Sequence, residues 1–146
     1  MRYNMRKEMF EHEINILRDT YRRLLRRNAK INLIKLTSKT HPADLAVVFR
    51  NFSDEEQIEI FSLMKESEHT AEFLSELDDA LVNELLENEN YERIAAIIEK
   101  APTNDQSGIL NILDDEKAKS IIELLNVEEQ EEIAEIMGYP DDSAGA

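Results

Sequence analysis

The sequence predicts an all-α protein, a superhelical stack of short helices behind one longer N-terminal helix, and three observations predict it. Apolar residues recur at helical spacing in blocks about a dozen residues apart, each block the stripe of one short helix. No window alternates apolar and polar residues over the length of a strand. Only three Gly and three Pro punctuate the 146 residues, so connections are few and short. Helices of about 10 residues are marginal alone, and each must bury its stripe on its neighbours.

The first helix is the longest. Phe10, Ile14, Leu17, Tyr21 and Leu24 alternate steps of four and three, an apolar seam that Asn28 ends. So short a seam makes a weak coiled coil, and it is expected to pack within the chain rather than zip to a second copy. A connecting helix carrying Ile31, Leu33, Ile34 and Leu36 leads into Thr40-His41-Pro42. Pro42 then opens a helix with Leu45, Val48, Phe49 and Phe52 on one face. Ser53 and Glu56 have the spacing of a capping box, ahead of Ile60, Phe61 and Met64.

The same alternation continues to the end of the chain. Thr70, Phe73, Leu74 and Leu77 form the next face, and Asp78 caps a helix with Leu81, Leu85 and Leu86. Ile94, Ile97 and Ile98 follow, and after Pro102 the pair Thr103 and Gln106 restarts a helix with Ile109, Leu110 and Leu113. Asp114 and Asn126 stand at N-cap positions before Ile121, Ile122 and Leu125 and before Ile133, Ile136 and Met137.

Charge divides the chain differently. Residues 1–35 hold ten Lys or Arg against four acids, and the remainder holds seven against twenty-eight, so +6 and −21 make the net −15. We therefore expect a basic N-terminal helix with its short connecting helix over 1–38, an acidic helical repeat over 39–138, and a linker over 139–146. That last strip, Tyr139-Pro140-Asp141-Asp142-Ser143-Ala144-Gly145, reads as the start of a connection to a further module. The acidic body repels phosphate backbones, so any nucleic-acid contact would rest on Arg22, Arg23, Arg26 and Arg27. An Arg-rich helix face is more commonly solvated or paired with acids, and no nucleic-acid partner is expected.

Several chemistries are excluded by residue type. Cysteine is absent, which removes disulfides, thiolate metal sites and a Cys nucleophile, and fits a reducing, cytosolic setting. No apolar run approaches the ~20 residues of a membrane span, and the N-terminus is too polar for a signal peptide. His12-Glu13 begins a zinc-protease pattern, but position 16 is isoleucine, so no second imidazole lies one turn along. His41 and His69 read as capping or packing residues, and Gly108, Gly138 and Gly145 are too isolated to cradle a phosphate. No enzyme is expected. What remains is carboxylate, in a body whose negative field concentrates divalent cations, Mg²⁺ above all.

His41-Pro42-Ala43-Asp44-Leu45-Ala46, the tandem acidic helices and Tyr139-Pro140-Asp141-Asp142-Ser143-Ala144-Gly145 together resemble the cytosolic N-terminal domain of the MgtE magnesium transporters, over about residues 22–146. The resemblance implies a right-handed, armadillo-like superhelix, a fold also known in the flagellar motor switch protein FliG. It implies a regulatory domain on the cytoplasmic side of the cell membrane, followed by CBS domains and a membrane channel in a homodimeric transporter. Mg²⁺ would bridge acidic faces of this domain and the CBS domains, so that the transported ion also regulates. The runner-up is a helical-repeat adaptor for proteins with no ion dependence.

Carried over position by position, the resemblance offers Glu72, between Ala71 and Phe73-Leu74, as a metal ligand. Its second ligand region falls on Asn104, Asp105 and Gly108, where the family has three acids. Asn104 retains a carbonyl oxygen and Asp105 a carboxylate, while Gly108 has none to give and is expected at a tight helix contact. The basic first helix is longer than the family leads one to expect. Its Arg22, Arg23, Arg26 and Arg27 are expected to dock on an acidic face or on anionic lipid headgroups.

Overall fold

A computed structural model describes residues 2–125 and 127–138, and among them every regular element is an α-helix. In order they are α1 (Arg2–Arg26), α2 (Lys30–Lys39), α3 (Pro42–Phe49), α4 (Asp54–Ser62), α5 (Ser67–Ser75), α6 (Asp79–Leu86), α7 (Tyr91–Glu99), α8 (Thr103–Ile112), α9 (Asp115–Leu124) and α10 (Val127–Met137). The all-α class and the run of short helices behind a long first one are as the sequence predicts. Asn126 and the strip from Tyr139 onward lie outside the described residues. The chain divides into two compact units, one up to His69 and one from Thr70.

In the first unit α1 packs on α2 and α3. Asn28 turns the chain between α1 and α2 with φ 55°, a left-handed conformation that asparagine accepts more readily than most residues. The seam of α1 packs inside the chain at Tyr21, which is fully buried, donates or accepts a 2.9 Å hydrogen bond with Thr37 Oγ1 and lies 5.7 Å from the Phe52 ring. At the other end of the seam Phe10 remains exposed, and on α2 Ile31 is 70% exposed, so the apolar patch expected there is buried chiefly through Leu33.

Local chemistry sets the boundaries of the next helices. His41 Nδ1 accepts the Ala43 N–H, and Pro42 occupies the first turn of α3 where no N–H is required. Helix α3 stops at Phe49, so Phe52 reaches the core from the following turn, as Met64 does after α4. Ser53 and Glu56 form the expected capping box, each side chain accepting the other's backbone N–H at 3.2 and 2.9 Å. Ahead of α5, the Glu66 carboxylate accepts from the N–H groups of Glu68 and His69.

In the second unit α7 packs on α9, and α8 packs on α6, α7, α9 and α10. Asp78, Asn90 and Asp114 cap α6, α7 and α9 by accepting the N–H three residues on, at 2.9, 2.7 and 2.8 Å. Helix α8 departs from expectation: Pro102 stands at its cap without a side-chain bond, and Thr103 is already the first helical residue. Ile133 is buried, but Ile136, expected inside, is 48% exposed, because α10 buries a narrower face than its sequence offers.

One device recurs. The fourth residue of α4, α8 and α10 is a glutamine, Gln57, Gln106 or Gln130. Each donates its Nε2 to a carbonyl at the end of the preceding helix, Phe49, Ala101 or Leu125, at 2.9, 2.9 and 2.7 Å. The amides of Gln106 and Gln130 supply donors to carbonyls at helix ends, and Gln57 adds a second donor to the Phe49 carbonyl, which also accepts the Phe52 N–H at 3.1 Å. Lys117 serves α6 in the same way from a greater sequence distance. It is only 8% exposed, its Nζ donates to the carbonyls of Leu86 and Glu87, and it sits 5.7 Å from the centre of the Tyr91 ring.

Candidate functional site

Two helix starts in the second unit face a common space. Helix α6 opens with Asp79, directly after its cap Asp78, and α8 carries Asn104 and Asp105 as its second and third residues. Acids are placed there by the local rule that a helix N-terminus favours negative charge. Packing of α6 on α8 then brings the two starts to one open hollow of about 610 Å³. Its polar lining comes from Asp79 and Asn83 on α6, from Asn104, Asp105 and Asn111 on α8, and from Ser75 at the end of α5. Val82 and Ile109 are among its apolar lining residues.

Asn104 and Asp79 are exposed and Asp105 is half-buried, so their oxygens are open to water. Gly108 lies one turn beyond Asn104 and also lines the hollow. It is not at a tight helix contact: a Cβ built there meets nothing within 4 Å. The residue leaves the hollow wider on that turn and adds no ligand of its own.

Of the residues singled out from sequence, the structure gathers Asn104, Asp105 and Gly108. Glu72 is apart from them. It is exposed on α5, one turn before Ser75, whose hydroxyl donates to the Glu72 carbonyl at 2.6 Å, and its side chain does not line the hollow. Asp79 joins the set instead. From sequence it reads as one more helix-dipole acid, and only the packing of α6 on α8 reveals what it faces.

The donors are carboxylate, amide and hydroxyl oxygens, the chemistry of a hard cation rather than of zinc or copper. Among the described residues no three His, Asp or Glu side chains converge as a closed cage. Two carboxylates at a wide mouth suit Mg²⁺, which dehydrates reluctantly and keeps most of its water. The positive ends of the two helix dipoles also oppose a cation there, which holds affinity down.

Residues 40–142 match the family described as the MgtE intracellular N domain. Among solved structures the chain is similar to the soluble part of a magnesium transporter, with a TM-score of 0.71 at 16% identity over 88% of this chain and 50% of that one. It is likewise similar to the cytosolic domain of the Mg²⁺ channel MgtE in complex with ATP, with a TM-score of 0.74 at 20% identity over 85% of this chain and 51% of that one. Identities this low speak for the fold, and the chain spans about half the length of each of those structures. No curated protein matches the sequence. No helix among the described residues is long and apolar enough to cross a membrane. Because the family match runs over most of the sequence, the chain belongs to the MgtE intracellular N domain family.

Proposed function

We propose that this chain is the magnesium-sensing regulatory domain of a magnesium transporter, held on the cytoplasmic side of the cell membrane. The observation that carries the reading is the hollow between α6 and α8, which offers Asp79, Asn104 and Asp105 as oxygen donors and leaves the rest of an ion's shell open. Such a half-site is completed by water or by an opposing acidic surface. The opposing surface is a CBS module of the same full-length chain, and the transporter works as a homodimer. Family membership, with a fold like that of the soluble part of a magnesium transporter, supports a place in such a transporter.

Electrostatics supplies the mechanism. A body of net charge −21 repels another acidic surface when no cation lies between them. Bound Mg²⁺ reverses the local sign and makes the closed arrangement the favoured one. The ion stabilises closure only by its differential affinity for the closed state, so a weak half-site suffices when the second module adds ligands. Glu72, outside the hollow on α5, would serve a separate ion at the same interface.

Titration of Mg²⁺ into the 146-residue chain, followed by backbone amide shifts, tests this. Shifts at Asp79, Asn104 and Asp105 should saturate on the order of millimolar Mg²⁺, since most ligands are water. Asp79→Asn with Asp105→Asn should abolish them. Micromolar affinity would contradict a shared site, and unchanged spectra at tens of millimolar would leave a protein adaptor without ion dependence as the better reading.

A further inference from the structure

We infer that α1 and α2 form a docking surface for an anionic membrane. Between Ile14 and Lys39 the chain has eight Lys or Arg and one acid, Asp19, inside a protein of net charge −15. Arg23, Arg26, Arg27, Lys30, Lys35 and Lys39 are all exposed. Among the described residues the cation of α1 or α2 that forms an ion pair is Arg18, with Asp19 at 3.3 Å, while Arg22 donates to the Asn51 carbonyl. Among the described residues the other six form no ion pair.

Apolar residues stand among these cations. Ile31 is 70% exposed and, four residues before Lys35, shares its helix face; Ile16 on α1 is 53% exposed. A phosphate backbone makes no use of a projecting isoleucine. A bilayer interface uses both features, attracting the cations to anionic headgroups and admitting the apolar side chain at the acyl boundary. The surface precedes residue 40, where the family match begins. The inference rests on the reading above only in that a transporter domain is tethered within reach of a bilayer.

Sedimentation of the 146-residue chain with vesicles decides it, in EDTA so that the outcome is independent of any Mg²⁺ site. Binding is expected to vesicles of about 30% phosphatidylserine and not to pure phosphatidylcholine, with loss of binding near 0.5 M salt, where the Debye length falls to a few ångströms. Each cation replaced in the series Arg23→Gln, Arg26→Gln, Arg27→Gln and Lys30→Gln should weaken binding about fivefold. Ile31→Ser should weaken it severalfold with every charge retained, and circular dichroism should show each variant still helical. Absence of binding at low salt, full binding by the four-residue variant, or no effect of Ile31→Ser would each overturn the proposal. So would tighter binding to duplex DNA than to the vesicles, which would mark a nucleic-acid surface. Failure here leaves the Mg²⁺ titration untouched, and failure of that titration leaves this result standing.

Discussion

Lys117→Met is the most informative single change in the second unit. The methionine keeps the unbranched apolar stem that packs beside Tyr91 but removes the ammonium from the carbonyls of Leu86 and Glu87, the end of α6. Two charge-assisted hydrogen bonds contribute about 1.5 to 3 kcal/mol each, and relief from burying an ammonium returns part of that, leaving a net loss of about 2 to 3 kcal/mol. With Lys117 only 8% exposed, water cannot readily replace it as the donor. Urea unfolding followed at 222 nm should show that loss, with the midpoint of thermal unfolding lower by about 5 to 10 °C. Lys119→Met, at an exposed position of the same helix, should change stability by less than about 0.5 kcal/mol. A Lys117→Met protein as stable as the Lys119→Met control would refute the claim that the ammonium holds the end of α6.

Gln57→Met should cost only about 0.5 to 1.5 kcal/mol, because the Phe49 carbonyl keeps the Phe52 N–H at 3.1 Å, and Gln106→Met should cost a similar amount, because the lost bond to the Ala101 carbonyl is offset by removal of the buried Gln106 Oε1, which has no hydrogen-bond partner among the described residues; urea midpoints measure both. Burial pushes the Tyr21 phenol above its usual range, outweighing the hydrogen bonds from Thr37 and Thr40 that act the other way. The folded state thus holds that proton more tightly than the unfolded chain, so the Tyr21 contribution is complete below pH of about 10 and is lost as pH rises beyond it. Phenolate absorbance should show a late-titrating group that disappears in Tyr21→Phe. Gly108→Asp places a third carboxylate in open space on the wall of the hollow and should tighten Mg²⁺ binding about tenfold by calorimetry, with no loss of helicity.

Features governed by neighbours in sequence were readable before the structure. Ser53, Asp78 and Asp114 cap their helices as their identity and spacing predict, because an N-cap needs only a side-chain oxygen and the next turn. Thr103 misleads for the same reason: Pro102 already turns the chain, and Thr103 starts the helix without capping it. Periodicity names inward faces but not helix ends, so Phe52 and Met64 reach the core from turns rather than from α3 and α4. Ile31 and Ile136 fit their stripes and are nonetheless exposed, since a stripe does not say how wide a partner covers it. The hollow was half legible. Asn104 and Asp105 adjoin in sequence, but the partnership with Asp79 is made by packing across some two dozen residues, to which no local signal corresponds.

The three glutamine amides have an implication for how the chain can change length. Each latch ties the opening turn of one helix to the closing carbonyl of the helix before, across five to eight residues. An inserted residue at those joints would pull the amide out of reach of its carbonyl, so the spacing there is fixed by hydrogen-bond reach rather than by loop preference. The joint between α4 and α5 has no such amide and is held in another way, by the buried Met64 and by the Glu66 carboxylate on the N–H groups of Glu68 and His69, so its length too is set by side-chain contacts.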